Sequence, residues 1–192
     1  RAEQKKMSKQ RLSRKFWNPI VKNLSPYTPG EQPLNNDYIK LNTNENPTGP
    51  SPQVKAAIIA TLKNKGSVLR LYPEAENENL KKSIAQSLNI GVNQIFIGNG
   101  SDEVLAFCFQ ALFAGRGTLA LPEITYSFYP SLARLFEIEM KLIALANDFT
   151  FNLNDLGSNI KSVIVANPNA TTGIAMNKKH IQHILIQNPI SL

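Results

Sequence analysis

One cysteine, two histidines and a single tryptophan in 192 residues leave this chain short of the side chains that most often carry redox or metal chemistry. Cys108 has no partner for an intrachain disulfide, which excludes a disulfide framework and points to a reducing, cytoplasmic setting. Its position inside the apolar run Val104–Phe113 reads as a buried, inert thiol. His180 and His183 stand three apart with no carboxylate or cysteine close in sequence, so a solvated helix face is expected and no metal site. No run of 18 apolar residues occurs, which excludes a membrane-spanning helix, and the N-terminus lacks the apolar region of a secretory signal. There is no Gly-x-Ser-x-Gly elbow to support a hydrolase.

A formal charge of +7 would suggest nucleic-acid binding if it were spread over a face. It is not: Arg1, Lys5, Lys6, Lys9, Arg11, Arg14 and Lys15 against Glu3 place +6 in residues 1–15 and leave about +1 for the rest. The basic character belongs to a tail, expected to be disordered, and no nucleic-acid partner is expected for the body. Arg1 is not an initiator, and Met7 is the first possible start within the sequence.

With 42% hydrophobic residues the chain can bury a core, and at ~100–200 residues per domain it is one ordinary domain or part of a larger one. Pro19, Pro26, Pro29 and Pro33 mark residues 16–37 as an extended arm with at most a short helical turn. A short strand is expected at Tyr38–Leu41 and a turn-rich loop at Asn42–Pro50. A helix is expected from Ser51 to Lys65, with Pro52 in its first turn and Val54, Ile58, Ile59 and Leu62 on one apolar face. After a helix near Glu76–Leu88, strands at Gln94–Gly98, Gly117–Leu121, Glu139–Ala144 and Ser162–Ala166 are expected. They alternate with helices at Asp102–Phe113, Thr125–Phe136 and Asn177–Gln187. That alternation predicts an α/β fold with a mostly parallel sheet covered on both faces, its chemistry at the carboxyl ends of the strands. A further strand is expected beyond Leu192, so the sheet reads as incomplete.

Three segments fall at those ends. Gly98-Asn99-Gly100-Ser101-Asp102-Glu103 joins a strand to a helix. Its amides suit an anion such as phosphate, and Ser101 or Asp102 suits a plain N-cap; the two readings stand side by side. It is neither a dinucleotide fingerprint nor a Walker loop. In Pro122–Tyr129, Thr125 is placed to cap the next helix and Phe128 and Tyr129 to pack in the core. Tyr126 falls at the mouth, where it can stack on a planar heterocycle. Asn167-Pro168-Asn169-Ala170-Thr171-Thr172-Gly173 offers side-chain amides to a ligand oxygen, or is an ordinary turn.

Taken in order, FWNPIVKNLSPYTPGEQP, LNTNENPTGPSP, RLYPE, GNGSDEVL, PEITYSFYP and NPNATTG resemble the fold-type I aminotransferases that use pyridoxal 5'-phosphate. Within them they are similar to the histidinol-phosphate aminotransferase branch. The resemblance runs from Phe16 to Leu192 and implies the three-layer αβα sandwich of that fold type, truncated, with an N-terminal arm. Residues 16–50 would be the arm and the start of a small domain, and 51–192 an incomplete cofactor-binding domain into which 51–75 leads.

The resemblance further implies that Ser101 and Asp102, with Glu103 adjacent, hold the cofactor phosphate and that Tyr126 stacks on its ring. Tyr72 would reach the phosphate in a neighbouring subunit, which requires a homodimer, and Tyr27 and Asn44 would lie near the substrate. Ala170 stands where the family has its cofactor-contacting Asn, which leaves Asn169 for that role. The family's Schiff-base Lys lies beyond Leu192, so no catalytic residue is expected in this chain and no activity from it alone. The implied reaction moves an amino group between L-histidinol phosphate and 2-oxoglutarate, in histidine biosynthesis. An aromatic aminotransferase or a threonine-phosphate decarboxylase is the alternative within the fold. A non-catalytic remnant, or a nucleic-acid binder using the basic tail, is the alternative outside it.

Overall fold

A computed structural model describes residues 16–22, 24, 30–31, 39–151, 155–157 and 159–187. The basic tail at 1–15, Tyr27 and Tyr38 lie outside these residues. The chain divides into two compact units, Gly30–Val104, and Arg1–Pro29 with Leu105–Leu192.

The second unit is built on a sheet. The four apolar residues of β1 (Leu119–Pro122) are all buried, as a strand covered on both faces requires. β1 pairs in parallel with β2 (Met140–Ile143), Leu119 opposite Met140, and with β3 (Ser162–Val163), Leu119 opposite Ser162, giving the order β2-β1-β3. Because side chains alternate along a strand, Leu119 and Leu121 face one side and Ala120 the other. On the leucine side they join Phe109, Phe113, Tyr129, Leu132, Ala133 and Ile164 in one cluster. On the alanine side Ala120 meets Ile143, Val163, Leu156, Ile160 and Ile184. The leucine-side helix is α5 (Phe128–Leu135), beside which lies the short α1 (Pro19–Lys22). The opposite face is covered by α6 (Lys178–Gln187). Helix, sheet and helix form the three expected layers.

The unit Gly30–Val104 carries α2 (Pro52–Thr61) and α3 (Glu78–Leu88). Ser51 caps α2, its Oγ accepting from the Val54 amide at 3.4 Å, with Pro52 in the first turn as expected. In α3 the Lys82–Glu78 pair at 2.8 Å links successive turns on the exposed surface, lowering the Glu78 pKa and raising that of Lys82. α4 (Ser101–Cys108) begins here and runs on into the other unit as a π turn, Phe109–Phe113.

Several expected elements differ. No strand forms over Gln94–Gly98: a 3₁₀ turn covers Val92–Gln94, and Ile95, though extended, finds no ladder partner among the described residues. None forms over 39–41, where Ile39 and Leu41 are exposed. The face Val54, Ile58, Ile59 and Leu62 on and just after α2 is not buried. The strand expected at Ser162–Ala166 keeps ladder pairing only over Ser162–Val163. Thr125 caps nothing, since α5 starts at Phe128 after Ser127.

Candidate cofactor site

In the unit Gly30–Val104 the chain turns from Gly98 into α4. Gly100 has φ +91°, a conformation that favours glycine, and its carbonyl accepts the first helical bond from the Val104 amide at 3.3 Å. The cap position therefore falls to Gly100. Ser101 and Asp102, expected as caps, instead occupy the first turn. Their amides point out of the helix at its positive end. Glu103 turns its carboxylate back, Oε2 accepting from the Asn99 amide at 2.6 Å, which fixes the turn. A Cβ at Gly98 would come within 2.8 Å of Val104 Cγ2 and 3.1 Å of Glu103 Oε2, whereas one at Gly100 would meet nothing within 4 Å. The Gly98 side of the turn is thus tightly packed and the Gly100 side open. Tyr72, at 99% relative exposure, and Asn44, at φ +51°, lie in the same unit, both exposed.

In the other unit two loops meet beyond the carboxyl end of β1. Glu123 donates its amide to the Ile143 carbonyl at 2.9 Å and accepts the Leu145 amide on Oε1 at 3.0 Å, tying the end of β1 to β2. Asn169 Nδ2 donates to the Ile124 carbonyl at 2.8 Å. Tyr126 is half-buried, its ring edge-to-face with Tyr129 (5.6 Å, 86°) and tilted against Phe128 (6.0 Å, 57°). Tyr126 and Asn169, paired only by family resemblance in the sequence, are thereby brought to one place. Burial pushes the Tyr129 phenol above its ordinary range.

The loop after β3 is held by its own amides. Asn167 grips the Met176 backbone at both ends of its side chain, Nδ2 to the carbonyl at 3.2 Å and Oδ1 from the amide at 2.7 Å. The Asn169 amide donates to Ile174 at 2.9 Å and its carbonyl accepts from Gly173 at 2.8 Å. Asn167 is therefore spent on the loop and Asn169 is the amide directed at the Tyr126 segment. No local pattern in the sequence marks Glu123, because its partner Leu145 lies 22 positions on, just past the end of β2.

A cavity of about 470 Å³ lies on the alanine side of the sheet, with Phe149, Phe151, Val165, Met176 and His180 among its walls and Asn169 at one edge. Two oxygens at this end, Thr125 Oγ1 and Asn169 Oδ1, are buried with no hydrogen-bond partner. Among the described residues no group of three or more histidine, cysteine or acidic side chains is arranged to hold a metal. Within the unit Gly30–Val104, taken by itself, the helix-end amides suit an anion such as phosphate. Within the other unit, taken by itself, a tyrosine face with a neighbouring side-chain amide suits a planar polar ring.

The parallel sheet layered between helices is the fold of the fold-type I pyridoxal-phosphate transferases. It superposes on the histidinol-phosphate aminotransferase of Sinorhizobium meliloti in complex with pyridoxal-5'-phosphate with a TM-score of 0.75. That match covers 91% of this chain and 48% of that one at 19% identity. The family model for aminotransferase class I and II matches residues 36–188, and the chain belongs to that family. It is similar to the histidinol-phosphate aminotransferase of Acinetobacter baylyi, 46% identical over 175 residues, which is 91% of this chain and 48% of the relative. It is also similar to that of Brachyspira hyodysenteriae, 47% identical over 173 residues, 90% and 48% of the two chains. The chain spans about half the length of the curated relatives it matches.

Proposed function

We propose that this chain supplies the amino-terminal half of a histidinol-phosphate aminotransferase, and in it the part that binds the phosphate and ring of pyridoxal 5'-phosphate. The observation that carries the substrate is the 46% identity over 91% of the chain. Ser101 and Asp102 donate their amides to the cofactor phosphate, and Glu103 keeps those amides in place by holding the Asn99 amide. Tyr126 covers one face of the ring and excludes water from it. Asn169 retains one amide hydrogen after bonding to Ile124, and that hydrogen serves the ring's phenolic oxygen, the role left open by Ala170. When bound, the cofactor supplies the electron sink that makes the substrate's Cα–H acidic. Tyr27 and Asn44 belong to the substrate side.

A homodimer is part of the proposal: Tyr72 projects into solvent, where it is available to a second copy, and α2 presents an apolar face with no buried residue. The small-molecule partners are the amino-phosphate substrate and 2-oxoglutarate, with no nucleic acid and no membrane, in the cytoplasm. No helix among the described residues is long and apolar enough to cross a membrane.

The test is an assay of glutamate formed from L-histidinol phosphate and 2-oxoglutarate with added cofactor. The 192-residue chain alone is expected to give no turnover, because none of its lysines stands in the motif context of the family's Schiff-base residue. Fused to the carboxyl-terminal half of the Acinetobacter baylyi relative, it is expected to turn over L-histidinol phosphate. Phenylalanine or threonine phosphate should react about tenfold less well or worse, as unmatched polar contacts dictate. Turnover by the chain alone, or a chimera that prefers phenylalanine, would refute the assignment.

A further inference from the structure

The segment Glu123–Ser127 carries Tyr126, whose ring packs on Phe128 and Tyr129, but the two hydroxyls that flank Tyr126 do not fix its path. Thr125 Oγ1 has no partner and Ser127 makes no capping bond, so neither hydroxyl braces the turn. The two ends are held from nearby: Glu123 at Ile143 and Leu145, and the Tyr126 carbonyl by the Tyr129 amide at 3.1 Å. The middle is held from a distance, by Asn169 Nδ2 on the Ile124 carbonyl, across 45 positions of sequence. Asn169 is itself 9% exposed and immobilised through both its backbone groups, so its side chain is a rigid strut rather than a loose contact. A carbonyl locked to such a donor fixes the peptide plane between Ile124 and Thr125, and with it the direction in which Tyr126 leaves the strand end.

We infer that Asn169 is a positioning residue for Tyr126: its amide, by holding the Ile124 carbonyl, sets the orientation of the phenol ring. This rests on the proposed cofactor role only for its consequence, that a misdirected ring binds the cofactor less well. The orientation itself is a property of the polypeptide and is read without any ligand.

The experiment is ¹⁹F NMR of the full chain labelled with 3-fluorotyrosine, its five tyrosines giving five lines, with those of Tyr126 and Tyr129 assigned by Tyr126→Phe and Tyr129→Phe. Asn169→Asp is nearly isosteric but cannot donate when ionised. It is expected to move the Tyr126 line at neutral pH, with the Tyr129 line following through the ring contact, and to leave the exposed Tyr72 line in place. Acidification then restores the Tyr126 line, because a protonated carboxyl regains a donor for the Ile124 carbonyl. Asn169→Ala moves the line at every pH. A parallel titration with pyridoxal 5'-phosphate is expected to show about tenfold weaker binding for Asn169→Asp at neutral pH, through the misdirected ring and the lost Asn169 bond together, so the ring position is read from the Tyr126 line alone. A Tyr126 line unmoved in both variants overturns the inference, and so does a Tyr126 line in Asn169→Asp that acid does not restore, which would make Asn169 a packing residue. If the Tyr126 line follows Asn169 while the unsubstituted chain binds no cofactor, the positioning role stands and the proposed cofactor site falls.

Discussion

Tyr129 shows how one buried side chain ties the stability of the sheet-bearing unit to pH. Its phenol is 7% exposed and burial raises its pKa above the ordinary 10. The neutral form is favoured in the folded state, so the contribution is fully present below pH ~10 and is lost as pH rises towards the folded value. Tyr129→Phe should shift the alkaline unfolding midpoint upward, followed by circular dichroism, and leave neutral stability nearly unchanged; equal alkaline midpoints would contradict this. At the same scale the sequence revealed residue types better than residue bonds. Ser101, Asp102 and Tyr126 were legible as candidates because strand ends and glycine turns have local signatures. The links Asn169 to Ile124 and Glu123 to Leu145 were not, since each joins residues far apart in sequence whose meeting depends on sheet order.

Among elements, those with local punctuation were legible and those defined by a neighbour were not. Ser51-Pro52 starts α2 where the pattern said it would, and the apolar run Leu119–Leu121 became the central strand. Gln94–Gly98 carries a comparable strand pattern, yet no strand forms because a ladder needs a second strand. The length of α4 was also missed. Its α-helical hydrogen bonding gives way after Cys108 to the π turn, which buries Phe109 and Phe113 together, edge-to-face at 5.3 Å. Phe109 touches Tyr129 as well, at 6.1 Å, and so bridges the π turn and α5. Phe109→Ala should therefore destabilise this unit by about 3–5 kcal/mol, measured by urea unfolding. A loss under about 1 kcal/mol, as for an ordinary surface substitution, would show that the π turn is not part of the core.

At the scale of the whole molecule the core is unevenly shared. Every buried apolar side chain among the described residues lies in the unit Arg1–Pro29 with Leu105–Leu192, apart from Ala85. Limited proteolysis of the chain should accordingly cut within Gly30–Val104 first and leave a resistant fragment from about Leu105 onward, identified by mass. Early cuts between Leu119 and Val163 would oppose this. The register of β1 carries one more consequence, for the order of events at the ribosome. Neither of its partners is local: Met140 and Ser162 are both translated well after Leu119. At ~5–20 residues per second the nascent strand waits on the order of seconds, its leucines uncovered, before the second partner arrives. Of the three strands described, β1 is thus the one whose side chains wait longest for cover as the chain is made.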